Sequence, residues 1–564
     1  MRLGAEIICD ALEAVGATVV FGMAGSQNIA LFDALRASRL RTVVATSESG
    51  AAFAANGYSR ASGGVGVLTT IPGPGFTFAL SGIAEALLDS AALLWIVPSS
   101  GDGTGRPFQQ QYLDQPAIAR ALTKEVIEVH EIAALAPAVA RAYQLAGADE
   151  PGPVLVLVDR HVLTTAGRST FVRGSAVAPA VDEQAVDAVA RALDGARRVA
   201  LLVGQGGQAA APRIRTLAEC LGAAVLTTSS GRGVISEEDA RSLYYDYGLG
   251  GGTEMNRFIE RCDVVLALGC KLSHNGSGGF ELRIPREKLV HVDRSRATLG
   301  GSYPARISVH AEVGQFVAAL LPRVAERESG WGAEELAGWR SRLHAEQNSR
   351  LSIAPGVLAE QPVPLAAFFE ALQHVLPDDS VIVTDSGLHQ GFTRGFLRIR
   401  SERGLIAPAD FQSMGFGVPA AIGAKIAAPD RPVVLVIGDG GMTLSALELM
   451  TAVRERLDLT VVILNDGYLN FIRLHQLQVV GRTYGVALDN PDFALLVESL
   501  GARHWRLQKD VEATLRSCLS APGVNVLEVT MTELHGLTRH RLGGIVRRHA
   551  RHLRRLGLPG SPRG

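Results

Sequence analysis

Three doubly wound α/β domains, each built on a parallel sheet, are the fold that the sequence predicts. Short runs of Val, Ile and Leu alternate with amphipathic stretches in three successive blocks, and 564 residues are too many for one core. The first block has candidate strands at 18–22, 42–46, 65–70, 93–98 and 154–158. The second has 199–204, 224–228, 264–269 and 289–293, and the third has 381–385, 433–437, 460–465 and 526–529. Uninterrupted apolar runs of this kind suit strands covered by helices on both faces. Segments 164–182 and 325–364, richer in Pro, Gly and polar residues, read as connectors. The expected domains are therefore 1–165, 183–325 and 360–535, followed by an extension over 536–564.

With 47% hydrophobic residues, 20% charged residues and 62 glycines, the composition is that of a folded chain and not of a disordered one. The net charge of −1 offers no overall field to nucleic acid or to an anionic membrane. Its distribution is uneven. After Glu533 there are eight arginines and no acidic residue, so residues 1–533 carry −9. The basic extension is expected to form a helix over 545–556 that packs on the body or on a second subunit, since it lacks the aromatics of a nucleic-acid-binding segment. Cys9, Cys220, Cys262, Cys270 and Cys518 show neither metal-ligand nor disulfide spacing, which points to a reducing, cytoplasmic setting. Residues 1–25 place Glu6, Asp10 and Glu13 among apolar positions, unlike an export signal. No apolar run approaches the roughly 20 residues that cross a bilayer. A soluble protein without nucleic-acid or membrane partners is expected.

The strongest local signal is the apolar run from Val433, which ends in Gly438-Asp439-Gly440-Gly441. Ligands of α/β sheets sit at the carboxyl ends of strands, where glycines let backbone N–H groups approach a phosphate and an aspartate can hold a divalent ion. Alone, the tetrapeptide reads equally well as a tight turn. A second strand ends in Asn465-Asp466-Gly467-Tyr468, with Asp466 27 residues after Asp439. Two strand ends that each present an oxygen ligand suit Mg²⁺ with a diphosphate.

This spacing resembles the cofactor motif of thiamine diphosphate enzymes of the acetolactate synthase, benzoylformate decarboxylase and pyruvate oxidase superfamily, and the resemblance covers nearly the whole chain. It implies a pyrimidine-binding first domain, a Rossmann-like middle domain and a diphosphate-binding third domain. Asp439, Asp466 and the Tyr468 carbonyl would hold Mg²⁺; Asp466 departs from the usual Asn. Gly438, Gly440, Gly441, Leu469 and Gly73 would contact the cofactor. Glu48, in Ala45-Thr-Ser-Glu48-Ser-Gly50, is similar to the family's cofactor-activating glutamate, hydrogen-bonded to the aminopyrimidine ring. By itself a Glu there could simply complement a helix dipole. Asp385-Ser386-Gly387-Leu388-His389-Gln390 resembles the segment that places Ser386, His389 and Gln390 beside the diphosphate, and Met414 matches the apolar residue wedged between the cofactor rings. Without these companions His389 and Met414 would read as packing residues.

On the substrate side, Ser26 resembles a serine that binds a 2-oxoacid carboxylate, although its position also suits a helix N-cap. Gln111 falls at the family's glutamine position. Lys271 to Gly279 replaces the flavin-contacting stretch of acetolactate synthases, so FAD is not expected, and His475 replaces a tryptophan of the second-substrate pocket. The resemblance implies a carboligase or decarboxylase of transferase or lyase type. It would decarboxylate a 2-oxoacid donor and join the remaining fragment to a carbonyl acceptor, as a homodimer or dimer of dimers. The alternatives are a non-ligating decarboxylase and a non-catalytic cofactor-binding homologue.

Overall fold

The computed structural model describes residues 1–100, 106, 108–170, 180–246, 252–326, 328–351 and 365–531. The extension over 536–564, with its expected helix, lies outside the described residues.

Three six-stranded sheets, parallel throughout, follow one another along the chain. The first contains β1 (Val19–Gly22), β2 (Arg41–Val44), β3 (Gly66–Thr69), β4 (Leu93–Pro98), β5 (Glu125–Val129) and β6 (Pro153–Val158) in the order β2-β1-β3-β4-β6-β5. The second contains β7 (Val199–Val203), β8 (Ala224–Thr227), β9 (Ser242–Asp246), β10 (Val264–Leu268), β11 (Leu289–Asp293) and β12 (Ile307–His310), ordered β9-β8-β7-β10-β11-β12. This is the strand order of a dinucleotide-binding Rossmann sheet. The third contains β13 (Val381–Thr384), β14 (Leu405–Ile406), β15 (Val433–Gly438), β16 (Leu459–Asn465), β17 (Arg503–Arg506) and β18 (Val524–Thr530), and its order β14-β13-β15-β16-β18-β17 repeats that of the first.

The central strands are buried along most of their length, as their apolar runs require, with Gly438 and Asn465 half-buried at the ends of β15 and β16 and Thr530 exposed at the end of β18. Five strands that the sequence did not announce are all edge strands: β5, β9, β12, β14 and β17. The two connectors also need correction. Ala166–Gly167 pairs antiparallel with Arg2–Leu3. In the other connector, Ala333–Leu351 is helical, and Trp339 and Leu343 join Trp331 in packing against the second sheet. Apolar residues at a spacing of three to four make this stretch an amphipathic helix despite its charge.

The first and third domains share one core, assembled around helices α1 (Glu48–Ser62) and α2 (Gly417–Ala427). Small residues let these helices approach to backbone contact: a Cβ on Gly57 would run into the Ala420 carbonyl, and one on Gly423 into the Ala54 carbonyl. No helix among the described residues is long and apolar enough to cross a membrane.

Candidate active site

In an open parallel sheet a crevice forms where the strand order reverses, between two strands whose connections leave in opposite directions. The reversal in the third sheet lies between β13 and β15, and the sequence-predicted residues of the third domain lie on the strand ends and turns around it. Asp385, directly after β13, accepts N–H groups from Ser386 at 2.6 Å, Gly415 at 3.0 Å and Gly417 at 3.2 Å. Burial pushes its carboxyl up to about 7 against these amides. It thereby pins the turn that carries Met414 to the start of α2. Asp385 went unnoticed in the sequence, although it opens the segment containing His389.

His389 stands one strand over from Asp439: a Cβ on Gly438 would lie 2.8 Å from its Nδ1. Its Nε2 is buried and has no hydrogen-bond partner among the described residues, and burial pulls the imidazole down to about 4, so the ring is neutral. Ser386 is half-buried beside it. Gln390 is committed elsewhere, donating to the Pro408 carbonyl at 2.8 Å and accepting from Arg394 at 3.3 Å.

Asp439 opens a short helix, Asp439–Ser445, and accepts from Gly467 N and Asn490 Nδ2, each at 2.7 Å, and from Gly440 N at 2.9 Å. Burial raises its carboxyl, with these three donors opposing. Asp466, at the end of β16, accepts from Asn470 Nδ2 at 2.6 Å and Tyr468 N at 3.1 Å. Burial, followed by the charge of Asp439, pushes Asp466 up to about 6 against the Asn470 donor. Asn490, which bridges Asp439 and Asn465, carried no sequence signal. Among the described residues no three His, Cys, Asp or Glu side chains converge on one point. A divalent ion held by Asp439 and Asp466 would take further ligands from carbonyl and phosphate oxygens, which is the oxygen-rich set Mg²⁺ prefers. Above the turn, a Cβ on Gly440 would lie 2.9 Å from Leu469, 3.4 Å from Leu488 and 3.4 Å from the Met414 methyl. Glycine thus leaves a shallow apolar cradle, and Gly441 packs against Asp385.

A second group gathers at the reversal of the first sheet, between β1 and β3. Glu48 is the first residue of α1, behind an N-cap in which Ser47 accepts from Gly50 N at 3.0 Å. It is 7% exposed, its carboxylate makes no hydrogen bond among the described residues, and a Cβ on Gly75 would come within 2.5 Å of it. From the third domain, Glu448 accepts N–H groups of Thr46 at 3.1 Å and Ser47 at 3.0 Å and so fixes the entry to α1. Gly73 packs on Gln111, which takes a left-handed φ of 60° uncommon outside glycine and accepts from Gln27 Nε2 at 2.5 Å. Ser26 is exposed at the rim. The N-cap alternative for Ser26 is not realised: helix Ile29–Ala37 begins after Asn28, whose Oδ1 accepts from Gly25 N at 2.8 Å. No hydrogen bond or ion pair among the described residues joins the Glu48 group to the Asp439 group.

The second sheet reverses between β7 and β10. There Gly204, Gly269, Lys271 and Arg60 help to line a cavity of about 370 Å³ where the three domains meet, and none of the sequence-predicted site residues reaches it.

Family models match the chain in three successive pieces: the N-terminal TPP binding domain of thiamine pyrophosphate enzymes over residues 2–118, their central domain over 186–320, and their C-terminal TPP binding domain over 385–529. The chain is 30% identical over 539 residues to the acetolactate synthase isozyme 1 large subunit of Escherichia coli (strain K12), with 93% of each chain covered. It is 32% identical over 545 residues to the acetolactate synthase large subunit of Parasynechococcus marenigrum (strain WH8102), covering 91% of this chain and 86% of the relative. With chloroplastic acetolactate synthase 1 of Nicotiana tabacum it shares 28% over 552 residues, covering 94% and 81%.

Proposed function

The chain belongs to the thiamine pyrophosphate enzymes, and from that premise we propose that it decarboxylates a 2-oxoacid and joins the remaining fragment to a second carbonyl compound, using thiamine diphosphate and Mg²⁺. It is a thiamine diphosphate-dependent enzyme of the carboligase and decarboxylase class. The observation that carries the proposal is Glu48: a buried carboxylate with no hydrogen bond or ion pair among the described residues, at the start of a helix whose entry Glu448 holds fixed.

When bound, thiamine diphosphate supplies the electron sink that decarboxylation of a 2-oxoacid needs. Glu48 would hold a proton at its carboxylate against the aminopyrimidine. Asp439, Asp466 and the Tyr468 carbonyl would hold Mg²⁺, with Gly438, Gly440 and Gly441 and the Nε2 of His389 near the phosphates. Met414, itself exposed in the single chain, Leu469 and Leu488 would form an apolar wall against the bound cofactor. At the rim, Ser26 would orient the donor carboxylate, with Gln111 behind it. The family resemblance implies that Glu48 and the Asp439 group of one centre come from different subunits, so we assign the complete site to two copies, in a homodimer or dimer of dimers. Flavin has no part in the proposal, because Lys271 to Gly279 stands where the resemblance places the flavin-contacting stretch.

Full-length protein given pyruvate, thiamine diphosphate and MgCl₂ should yield a ligation product such as acetolactate, identified by mass spectrometry. Glu48→Gln should lower turnover by about 10²- to 10⁴-fold, the usual worth of a positioned proton-transfer group, without loss of bound cofactor. Aldehyde as sole product across a screen of 2-oxoacids and acceptors would replace ligation by simple decarboxylation. Cofactor uptake without any turnover would favour a non-catalytic role.

A further inference from the structure

Residues 407–413 form a strap without regular secondary structure that leads from β14 to Met414, and its backbone is gripped from all three domains. Arg60 of α1 donates to the Ala407 carbonyl at 2.8 Å. From the middle domain, Asn275 donates to the Ala409 carbonyl and Ser273 to the Asp410 side chain. The strap's N–H groups are taken by two carboxylates one turn apart at the end of the first-domain helix Pro74–Leu88. Asp89 accepts from Ala409 N at 2.9 Å and Asp410 N at 2.8 Å, and Glu85 accepts from Ser413 N at 2.8 Å. Glu85 is 0% exposed and Asp89 4%. Arg60 pairs with Asp89 at 3.2 Å, while Asp410 faces Asp89 from the strap and Lys271 acts on Asp410 from the middle domain.

Arg60 pairs with Asp89, no ion pair among the described residues reaches Glu85, and the second oxygen of Glu85, Oε1, is buried without a hydrogen-bond partner among them. Two carboxyl groups one helical turn apart, both buried and both gripping the same strap, disfavour a second negative charge. Burial, followed by the charge of Asp89, pushes Glu85 up to about 8.

Resting on the cofactor reading above, we propose that Glu85 and Asp89 are positioning residues: as an acid–carboxylate pair they clamp the strap and so fix where Met414 stands over Gly440. The neutral acid offers an O–H to Asp89 and an oxygen to Ser413 N–H. The clamp is intact below the pKa of Glu85 and weakens as pH rises through it, when a second negative charge appears beside Asp89.

The test measures the thiamine diphosphate dissociation constant of the full chain with Mg²⁺ between pH 6.5 and 9.5, and in parallel the hydrogen-exchange protection of the peptide 407–414. Affinity and protection of the wild type should fall above about pH 8. Glu85→Gln, which stays neutral and keeps both hydrogen bonds, should match the wild type at pH 7 and lose the alkaline fall. Glu85→Ala should bind about tenfold more weakly at pH 7, a loss of about 1.4 kcal/mol. An alkaline fall in Glu85→Gln equal to that of the wild type overturns the proposal. So does a folded Glu85→Ala with wild-type affinity and protection. If the wild type takes up no thiamine diphosphate, the cofactor reading fails, and the exchange profiles of wild type and Glu85→Gln still decide the clamp.

Discussion

Asp439 and Asp466 end neighbouring strands, and the donors that reach them are backbone amides and the neutral side chains of Asn490 and Asn470. The nearby cation Arg473 lies over the Tyr468 ring at 4.2 Å. A buried and a half-buried carboxylate so arranged favour a divalent cation with hard oxygen ligands. Chelation with EDTA followed by desalting should release thiamine diphosphate, and added Mg²⁺ should restore it; full retention would remove these residues from the metal site. Asp439→Ala should raise the Mg²⁺ needed for half-retention by about tenfold or more, in line with the loss of a metal-site partner. Asp466→Asn keeps an oxygen ligand and should shift it less, so an equal shift in both would mean that charge, and not ligation, is what Asp466 supplies.

At the scale of elements, the packing of α1 on α2 decides whether Glu48 is presented at all. A methyl on Gly57 or Gly423 meets backbone of the facing helix, which cannot rotate away as a side chain can. Gly57→Ala should lower stability by about 1–3 kcal/mol through forced separation of the helices. Gly147→Ala, on helix Ile132–Gly147 with only Val65 at 3.8 Å, should be neutral or stabilising by about 0.5–1 kcal/mol. Equal effects in urea unfolding would contradict the close-contact account. The same scale shows what could be read in advance. Central strands were legible because burial on both faces demands unbroken apolar runs such as Val433 to Ile437. Edge strands were not, because Glu125–Val129 and Arg503–Arg506 are half-solvated and charged. The glycine and aspartate turns were legible because a phosphate and its ion need a local backbone shape. Glu85, Asp89, Glu448 and Asn490 were not, since each acts on a segment remote in sequence. Glu85 and Asp89 did leave a trace, two carboxylates four residues apart in an otherwise apolar helix.

At the scale of the whole molecule, all three sheets place their ligand-facing ends at a strand-order reversal, so function depends on how the domains are held together. The second and third domains are joined by a buried, charge-balanced network. Arg394 bonds Asp246 through Nε at 2.8 Å and Nη2 at 2.7 Å, while Arg232 bonds Glu237 at 2.6 Å and the carbonyls of Arg394 and Leu397, each at 2.6 Å. Burial opposes ionisation of Asp246, yet Arg394 and then Arg232 hold its carboxyl below the usual range. Arg394 lies on Leu388–Phe396, the helix that carries His389 and Gln390, so the network tethers that part of the site to the middle domain. Arg394→Met would remove the bidentate partner of buried Asp246 and leave Arg232 at 3.7 Å among its ion-pair partners, a change that typically costs about 3–5 kcal/mol. In scanning calorimetry the middle domain should then melt apart from the other two, and thiamine diphosphate should bind more weakly through the loosened helix. Adding Asp246→Leu should recover part of the melting temperature, because the stranded charge is removed, but not the cofactor affinity, because the tether stays broken. If the double variant restores both, Arg394 acts only by balancing charge; if it restores neither, the network contributes through packing alone.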